Sequence, residues 1–262
     1  MEIKCYLMTS LLCIIDNMKL QEYLKVIEKF VSDYLAETHM KQYVLGLSGG
    51  VDSSLVAAIT KAAVGKEKLT CIMMPIKSHP SDLEDAKELA RQLDLNYIVI
   101  DGSDSYHETV KQFESQGIEL DQATKANLKV RIRMTILYAY AQKVGGLVIG
   151  TDNADERYTG YFTKYGDGGV DLLPIVHLVK GEVVEACKLY GISDKLAERT
   201  PSAGLFEGQT DETEMRVKYA DLDKYLLGGE IDEGSKERIE YLHRISEHKR
   251  VPIPTPVEFQ RD

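Results

Sequence analysis

"LGLSGGVDSSLVAAI", residues 45–59, passes from a short apolar run through two adjacent glycines into an apolar helical pattern. A strand that ends in Ser48-Gly49-Gly50 and resumes as a helix aims several backbone N–H groups, and the positive end of the helix, at one point. An anion fits there. Paired glycines remove the Cβ atoms that would hold a phosphate off the backbone, and they permit positive φ. Ser48, Ser53 and Ser54 add hydroxyl groups. The stretch lacks the Gly-Lys-Ser/Thr ending of a Walker A loop and the Gly-x-Gly-x-x-Gly spacing of a dinucleotide turn. Asp52 narrows the ligand, because a carboxylate beside a polyphosphate repels it unless a cation lies between them; Mg2+ would remove the conflict. The alternative is that Asp52 or Ser53 only N-caps the helix.

Working outward, the apolar runs Tyr43–Leu47, Leu69–Pro75 and Tyr97–Ile100 are separated by helical patterns, and a fourth run, 147–151, follows a helical segment from about 121 to 143. This is βαβ alternation. Unbroken apolar runs predict parallel strands buried on both faces, joined by right-handed crossovers into an open, doubly wound α/β sheet flanked by helices. Ligands bind such sheets beyond the carboxyl ends of the strands, where "SGGVDS" (48–53) and "GTDNADE" (150–156) both emerge. Upstream, Leu20, Tyr23, Leu24, Ile27, Phe30, Val31, Tyr34 and Leu35 fall on one helical stripe, which packs on its own core or on a partner. Glycine-rich polar loops around 160–169 and 202–212 flank a helical stretch at 181–190 and have the texture of binding loops. A last helix is expected over 235–248.

A chain of 262 residues with 44% hydrophobic content can bury the core of one domain. A net charge of −10 argues against a nucleic-acid partner. Cys5, Cys13, Cys71 and Cys187 have neither close pairing nor metal-ligand spacing, which suits a reducing, cytoplasmic setting. The apolar "CYLMTSLLCII" near the start has the length of a signal-peptide core but lacks a basic lead and a small-residue cleavage site, and it is too short to span a bilayer. Residues 1–17 therefore read as an extension before a domain at 18–262, with Met18 as an alternative start and no membrane role.

The heptad Ser48–Ser54 resembles the Ser-Gly-Gly-x-Asp-Ser-Ser/Thr loop of ATP pyrophosphatases, the adenine nucleotide alpha hydrolase-like enzymes that adenylate a substrate and release pyrophosphate. "GTDNADERYTGYFTKYGDGGVDLLPI" (150–175) resembles the signature of the NAD synthetase family. "NLKVRIRM" (127–134), "LVKGEV" (178–183), "PSAGL" (201–205), "QTDE" (209–212) and "EHKR" (247–250) follow in the family's order. The resemblance implies that Gly46, Leu47, Ser48, Gly49, Gly50, Val51, Asp52 and Ser53 hold ATP, together with Thr151, Lys180 and Ser202. It implies Mg2+ on Asp52 and Glu156, and deamido-NAD against Arg131, Lys164, Asp171, His248 and Lys249. Asp52, Lys180 and Asp171 would carry the chemistry, with Asp171 orienting the nicotinate or taking a proton from ammonium.

Read without the family, Glu156 is a solvated first-turn acid, Lys164 lies over neighbouring tyrosines, and Arg131 and Arg133 form the wet face of a helix. Two departures from the family pattern fall in "PSAGL": Ser202 keeps a hydroxyl, whereas Gly204 removes a carboxylate. The implied reaction joins ammonia to deamido-NAD through an adenylated carboxylate, and the length leaves no room for a glutamine-using domain. A homodimer is also implied, through either the 20–35 stripe or the 121–143 helix. A tRNA-thiolating or deazaguanine-forming enzyme would require cysteines this chain does not space for catalysis or zinc. A non-catalytic nucleotide binder would not need both Asp52 and Glu156.

Overall fold

In a computed structural model of the chain, residues 19–77, 80–197 and 210–261 are described. The 1–17 extension and Ser202 lie outside them. Helix α1 (Leu20–Glu37) leads into β1 (Gln42–Gly46), α2 (Val51–Val64), β2 (Leu69–Met73), α3 (Pro80–Gln92), β3 (Tyr97–Val99) and α4 (Ser103–Ser115). Helix α5 (Gln122–Val144), β4 (Gly146–Ile149) and α6 (Ala154–Thr159) follow, then α7 (Lys180–Leu189), α8 (Asp194–Ala197), α9 (Asp211–Met215), α10 (Tyr219–Leu226) and α11 (Glu233–Ile245).

The four strands are parallel in the order β3-β2-β1-β4, so the chain winds outward from β1 in one direction and returns to its other side with β4. That reversal opens a crevice beyond the carboxyl ends of β1 and β4. Strand alternation sorts the core into two layers. Tyr43, Leu45, Cys71, Met73 and Ile149 pack with α1, α2, α3 and α7 on one face, whereas Val44, Ile72 and Val148 meet α5 on the other. Most of the α1 stripe packs on its own core: Leu24, Ile27, Val31 and Leu35 are buried, each contributing about 1.5–3 kcal/mol relative to exposure, whereas Phe30 at the edge of the stripe is exposed. Tyr43 keeps its hydroxyl satisfied in that core by donating to the Val31 carbonyl at 2.7 Å.

A smaller cluster of Met215, Val217, Tyr219, Leu222 and Ile239 joins α9, α10 and α11 beside α6. It seats the carboxyl-terminal helices against the crevice. Among the described residues no helix is long and apolar enough to cross a membrane.

Candidate active site

The turn after β1 is built as its glycines require. Gly49 has φ +81°, and a Cβ there would stand 3.0 Å from the Ala86 nitrogen and 3.2 Å from the Asp82 carbonyl of α3. Only glycine allows that approach. Gly50 is the N-cap of α2, and the serines knot the turn: Ser53 Oγ and Ser54 Oγ donate to the Gly50 carbonyl at 3.0 and 2.7 Å, while Gly50 N donates to Ser48 Oγ at 3.2 Å. Neither Asp52 nor Ser53 caps the helix from its side chain. Asp52 is therefore available for another role.

That role is visible across the crevice. Asp52 Oδ1 accepts from Asn153 Nδ2 at 2.8 Å, and Asp52 Oδ2 lies 2.6 Å from Lys180 Nζ. Glu156 Oε1 stands 3.6 Å from the same ammonium. Three elements thus converge, with Asp52 from the first turn of α2, Glu156 from α6 and Lys180 from the first turn of α7. Asn153 caps α6 by accepting from Glu156 N at 2.9 Å, and its own N–H donates to Glu156 Oε2 at 3.2 Å. This capping box holds Glu156 in place while the Asn153 amide orients Asp52.

The electrostatics follow from burial. The Lys180 side chain is 7% exposed and those of Asp52 and Glu156 are 16% exposed. Burial alone would lower the Lys180 ammonium, but Asp52 and then Glu156 override it and hold it above the usual lysine range. Burial, and next the charge of Asp52, pushes the Glu156 carboxyl up. Two mutually repelling carboxylates on one lysine form a donor pair that suits a hard divalent cation sharing its remaining positions with phosphate oxygens and water. Nearby, Tyr161 and Tyr219 donate to Asp211 at 3.2 and 3.1 Å, and the Lys180 ammonium lies 4.9 Å from the Tyr219 ring centroid.

Lys180 is also held at its main chain. Its N–H donates to Asp155 Oδ2 at 2.7 Å and to Asp223 Oδ1 at 3.2 Å. Asp155 Oδ1 is buried with no hydrogen-bond partner. Burial, and then the charge of Asp223, pushes this carboxyl up to about 8.

A cavity of about 280 Å³ runs along this group, and Gly46, Leu47, Ser48, Gly50, Val51, Asp52 and Ser53 line it together with Thr151, Glu156 and Lys180. Its far wall is apolar, with Met73, Met74, Leu83 and Leu137. The residues expected to bind the second substrate lie elsewhere. Arg131 Nε donates to the Lys164 carbonyl at 3.3 Å, and Lys164 Nζ donates to the His248 carbonyl at a short separation. Lys249 Nζ donates to the carbonyls of Gly160 and Phe162, both at 2.7 Å, and with His248 borders a second hollow beside Tyr161. Asp171 faces neither cavity: its carboxylate accepts from Tyr138 Oη at 3.0 Å and from Val148 N at 2.7 Å, which ties it to the sheet. Arg133, grouped with Arg131 on the wet face by sequence, turns inward instead, lining the first cavity and donating to the Met74 carbonyl at 3.2 Å. Asn153, Asp211 and Tyr219 are the additions that sequence reasoning did not single out. Of these Asn153 left a signal in its Asn-x-x-Glu spacing, and Asp211 in its place within "QTDE" (209–212).

The profile of the NAD synthase family matches residues 23–253. The chain belongs to the NAD synthase family. The NH(3)-dependent NAD(+) synthetase of Mesoplasma florum is 41% identical over 244 residues, covering 93% of this chain and 100% of that protein. The enzyme of the same name from Carboxydothermus hydrogenoformans is 46% identical over 221 residues, covering 82% and 89%. Among solved structures, NMN synthetase from Francisella tularensis superposes with a TM-score of 0.87 at 36% identity, covering 92% of this chain and all of that one. The NH3-dependent NAD synthetase from Campylobacter jejuni superposes with a TM-score of 0.75 at 29% identity, with the same coverage. In this NAD synthase family member the glycine turn and the Asp52–Lys180–Glu156 group thus face one crevice, at the switch point the sheet order creates.

Proposed function

We infer that this chain is a ligase that uses ATP to amidate deamido-NAD with ammonia, giving NAD, AMP and pyrophosphate. The observation that carries it is the convergence of the glycine turn with Asp52, Glu156 and Lys180 in one cavity, in a chain of the NAD synthase family. A nicotinate carboxylate is anionic and would have to expel oxide to accept ammonia, so it needs a better leaving group. One carboxylate oxygen attacks the α-phosphorus of ATP, the α–β bridging bond breaks, and pyrophosphate leaves. Ammonia then attacks the carbonyl carbon, loses a proton, and AMP departs with the oxygen it received.

The chain's residues serve these steps mainly by position and charge. The N–H groups of the Ser48–Ser53 turn and the α2 amino terminus grip the departing pyrophosphate, with Thr151 and Ser202 on the nucleotide. Lys180 offsets charge gathering on the phosphate oxygens. Asp52 and Glu156 would hold Mg2+, which supplies neutralisation of the polyphosphate. Arg131, Lys164, His248 and Lys249 bind deamido-NAD; because both lysines already bind backbone carbonyls, they act by shaping that wall as well as by charge. Asp171 fixes β4 to α5, so its part is to hold the position of β4 rather than to transfer a proton.

We place the enzyme in the cytoplasm as a homodimer. Both surfaces carry apolar side chains open to a partner, Val26 and Phe30 on α1 and Ile136, Ala139 and Tyr140 on α5; light scattering of a dimer mass tests it.

A second acceptor is favoured by one observation, the higher TM-score to the Francisella protein named NMN synthetase than to the Campylobacter NAD synthetase. The corresponding acid is nicotinate mononucleotide. The test is one assay with ATP, Mg2+ and ammonium, offering deamido-NAD and nicotinate mononucleotide in parallel and separating products by chromatography. The expected result is a higher kcat/KM for deamido-NAD; the reverse ranking assigns the mononucleotide, and no amide from either overturns the reaction.

A further inference from the structure

We infer that Asp223, on α10, is a positioning residue for Lys180 that acts through the backbone of the first turn of α7. The inference rests on the function proposed above. The N-cap of α7 is Val179, whose side chain has no oxygen, so the N–H groups of that turn need partners from elsewhere. Asp223 supplies them with both oxygens: Oδ2 accepts from Gly181 N at 2.8 Å, and Oδ1 accepts at 3.2 Å from Lys180 N, which Asp155 Oδ2 also accepts from at 2.7 Å. The fit is close: a Cβ on Gly181 would stand 2.8 Å from Asp223 Oδ2, so a side chain there displaces the carboxylate.

The same helix reaches the other end of the lysine. Tyr219 lies one turn before Asp223 on α10, and its ring sits 4.9 Å from Lys180 Nζ. Residues four apart share a helix face. One face of α10 therefore holds Lys180 at its main chain through Asp223 and beside its ammonium through Tyr219, while Leu222, fully buried, anchors the helix. A lysine has four rotatable side-chain bonds, so the place of its Nζ depends on where the backbone starts it. Moving the α7 terminus would carry the ammonium away from the reacting phosphate.

Asp223→Asn keeps the size of the side chain but takes one of its two acceptor oxygens from the Gly181 and Lys180 N–H groups, leaving Lys180 N with its Asp155 bond and the turn without its bidentate clamp. The expected result is a kcat reduced by about 10- to 100-fold, the range in which a misplaced group lowers rate, with KM for ATP within about twofold of wild type. In a Lys180→Ala background the same substitution is expected to change kcat by less than about twofold, because the group it positions is gone. Gly181→Ala, which displaces the same carboxylate, is expected to match Asp223→Asn and stands in for it if that variant does not fold. An unchanged kcat, or an equal loss with and without Lys180, overturns the inference. Wild-type enzyme assayed alongside separates the two levels: no wild-type turnover overturns the proposed function and this inference with it, whereas normal wild-type turnover beside an unaffected Asp223→Asn overturns the positioning role alone.

Discussion

Lys180 Nζ lies 2.6 Å from Asp52 Oδ2, joining the first turn of α7 to the first turn of α2 across 128 residues of sequence. The pair is shielded and the lysine also faces Glu156, so it holds two carboxylates that would otherwise repel each other. Removing one partner of a buried ion pair is more damaging than the net worth of the pair, because the other charge stays desolvated. Lys180→Met is expected to lower stability by about 3–5 kcal/mol in metal-free buffer. If Asp52 and Glu156 hold Mg2+, adding it should raise the unfolding midpoint of this variant more than that of wild type, an advantage that Asp52→Asn should abolish. Urea titrations with and without Mg2+ make the comparison; an equal Mg2+ shift in all three proteins would remove the metal from these residues.

Gly160 closes α6 in the left-handed region, with φ +69°, and a Cβ there would stand 2.1 Å from Ser246 Cβ. Gly228 has φ +80° but open space around it. Gly228→Ala should cost about 1–2 kcal/mol, the conformational term alone. Gly160→Ala should cost at least about 2 kcal/mol more, because Ser246 and the Lys249 contacts to Gly160 and Phe162 must also shift. Chemical denaturation of both variants reads the difference, and equal losses would mean the Ser246 contact is loose.

Much of this arrangement is legible in the sequence. Unbroken apolar runs announced four parallel strands, and the structure ends them within two residues of the reading because Met74 and Pro75, like Gly150 and Thr151, already belong to the crevice; the expected burial on both faces fails at the edge strand β3, where Tyr97 and Val99 are exposed. The α1 stripe was open between core and partner, and the choice fell to the core once β1 and α2 offered Tyr43 and Leu55 to pack on. Local pattern has no access to long-range partners. Asp171 looks like a free acid until β4 brings Val148 N to it, and Arg133 looks solvent-facing until Met74 accepts from it. Tyr219 and Asp223 carry no motif of their own, and Asp211 only its place in "QTDE"; their meaning comes from meeting around Lys180, which only the folded chain arranges.

The Asp155 carboxyl faces Asp223 on α10 and the Lys180 end of α7, and it is raised in the folded chain from the usual 3.8 to about 8. A group that is easier to protonate when folded contributes stability that is fully present below about pH 4 and gone above about pH 8. Wild-type stability should therefore decline across that window, by at most about 1.4 kcal/mol per pH unit from this group. Asp155→Asn, neutral at every pH, should decline less. Unfolding midpoints taken between pH 5 and pH 9 give both curves, and parallel curves would show that Asp155 is ionised throughout.

Adenylation of the acceptor carboxylate is the central chemical claim, and oxygen transfer tests it most directly. Deamido-NAD labelled with 18O in both nicotinate carboxylate oxygens is turned over with ATP, Mg2+ and ammonium, and the AMP and pyrophosphate are examined by mass spectrometry. The account predicts one 18O in each AMP formed, one retained in the new amide and none in pyrophosphate. Unlabelled AMP, with the lost oxygen found in water or in a β- or γ-phosphate, would contradict it.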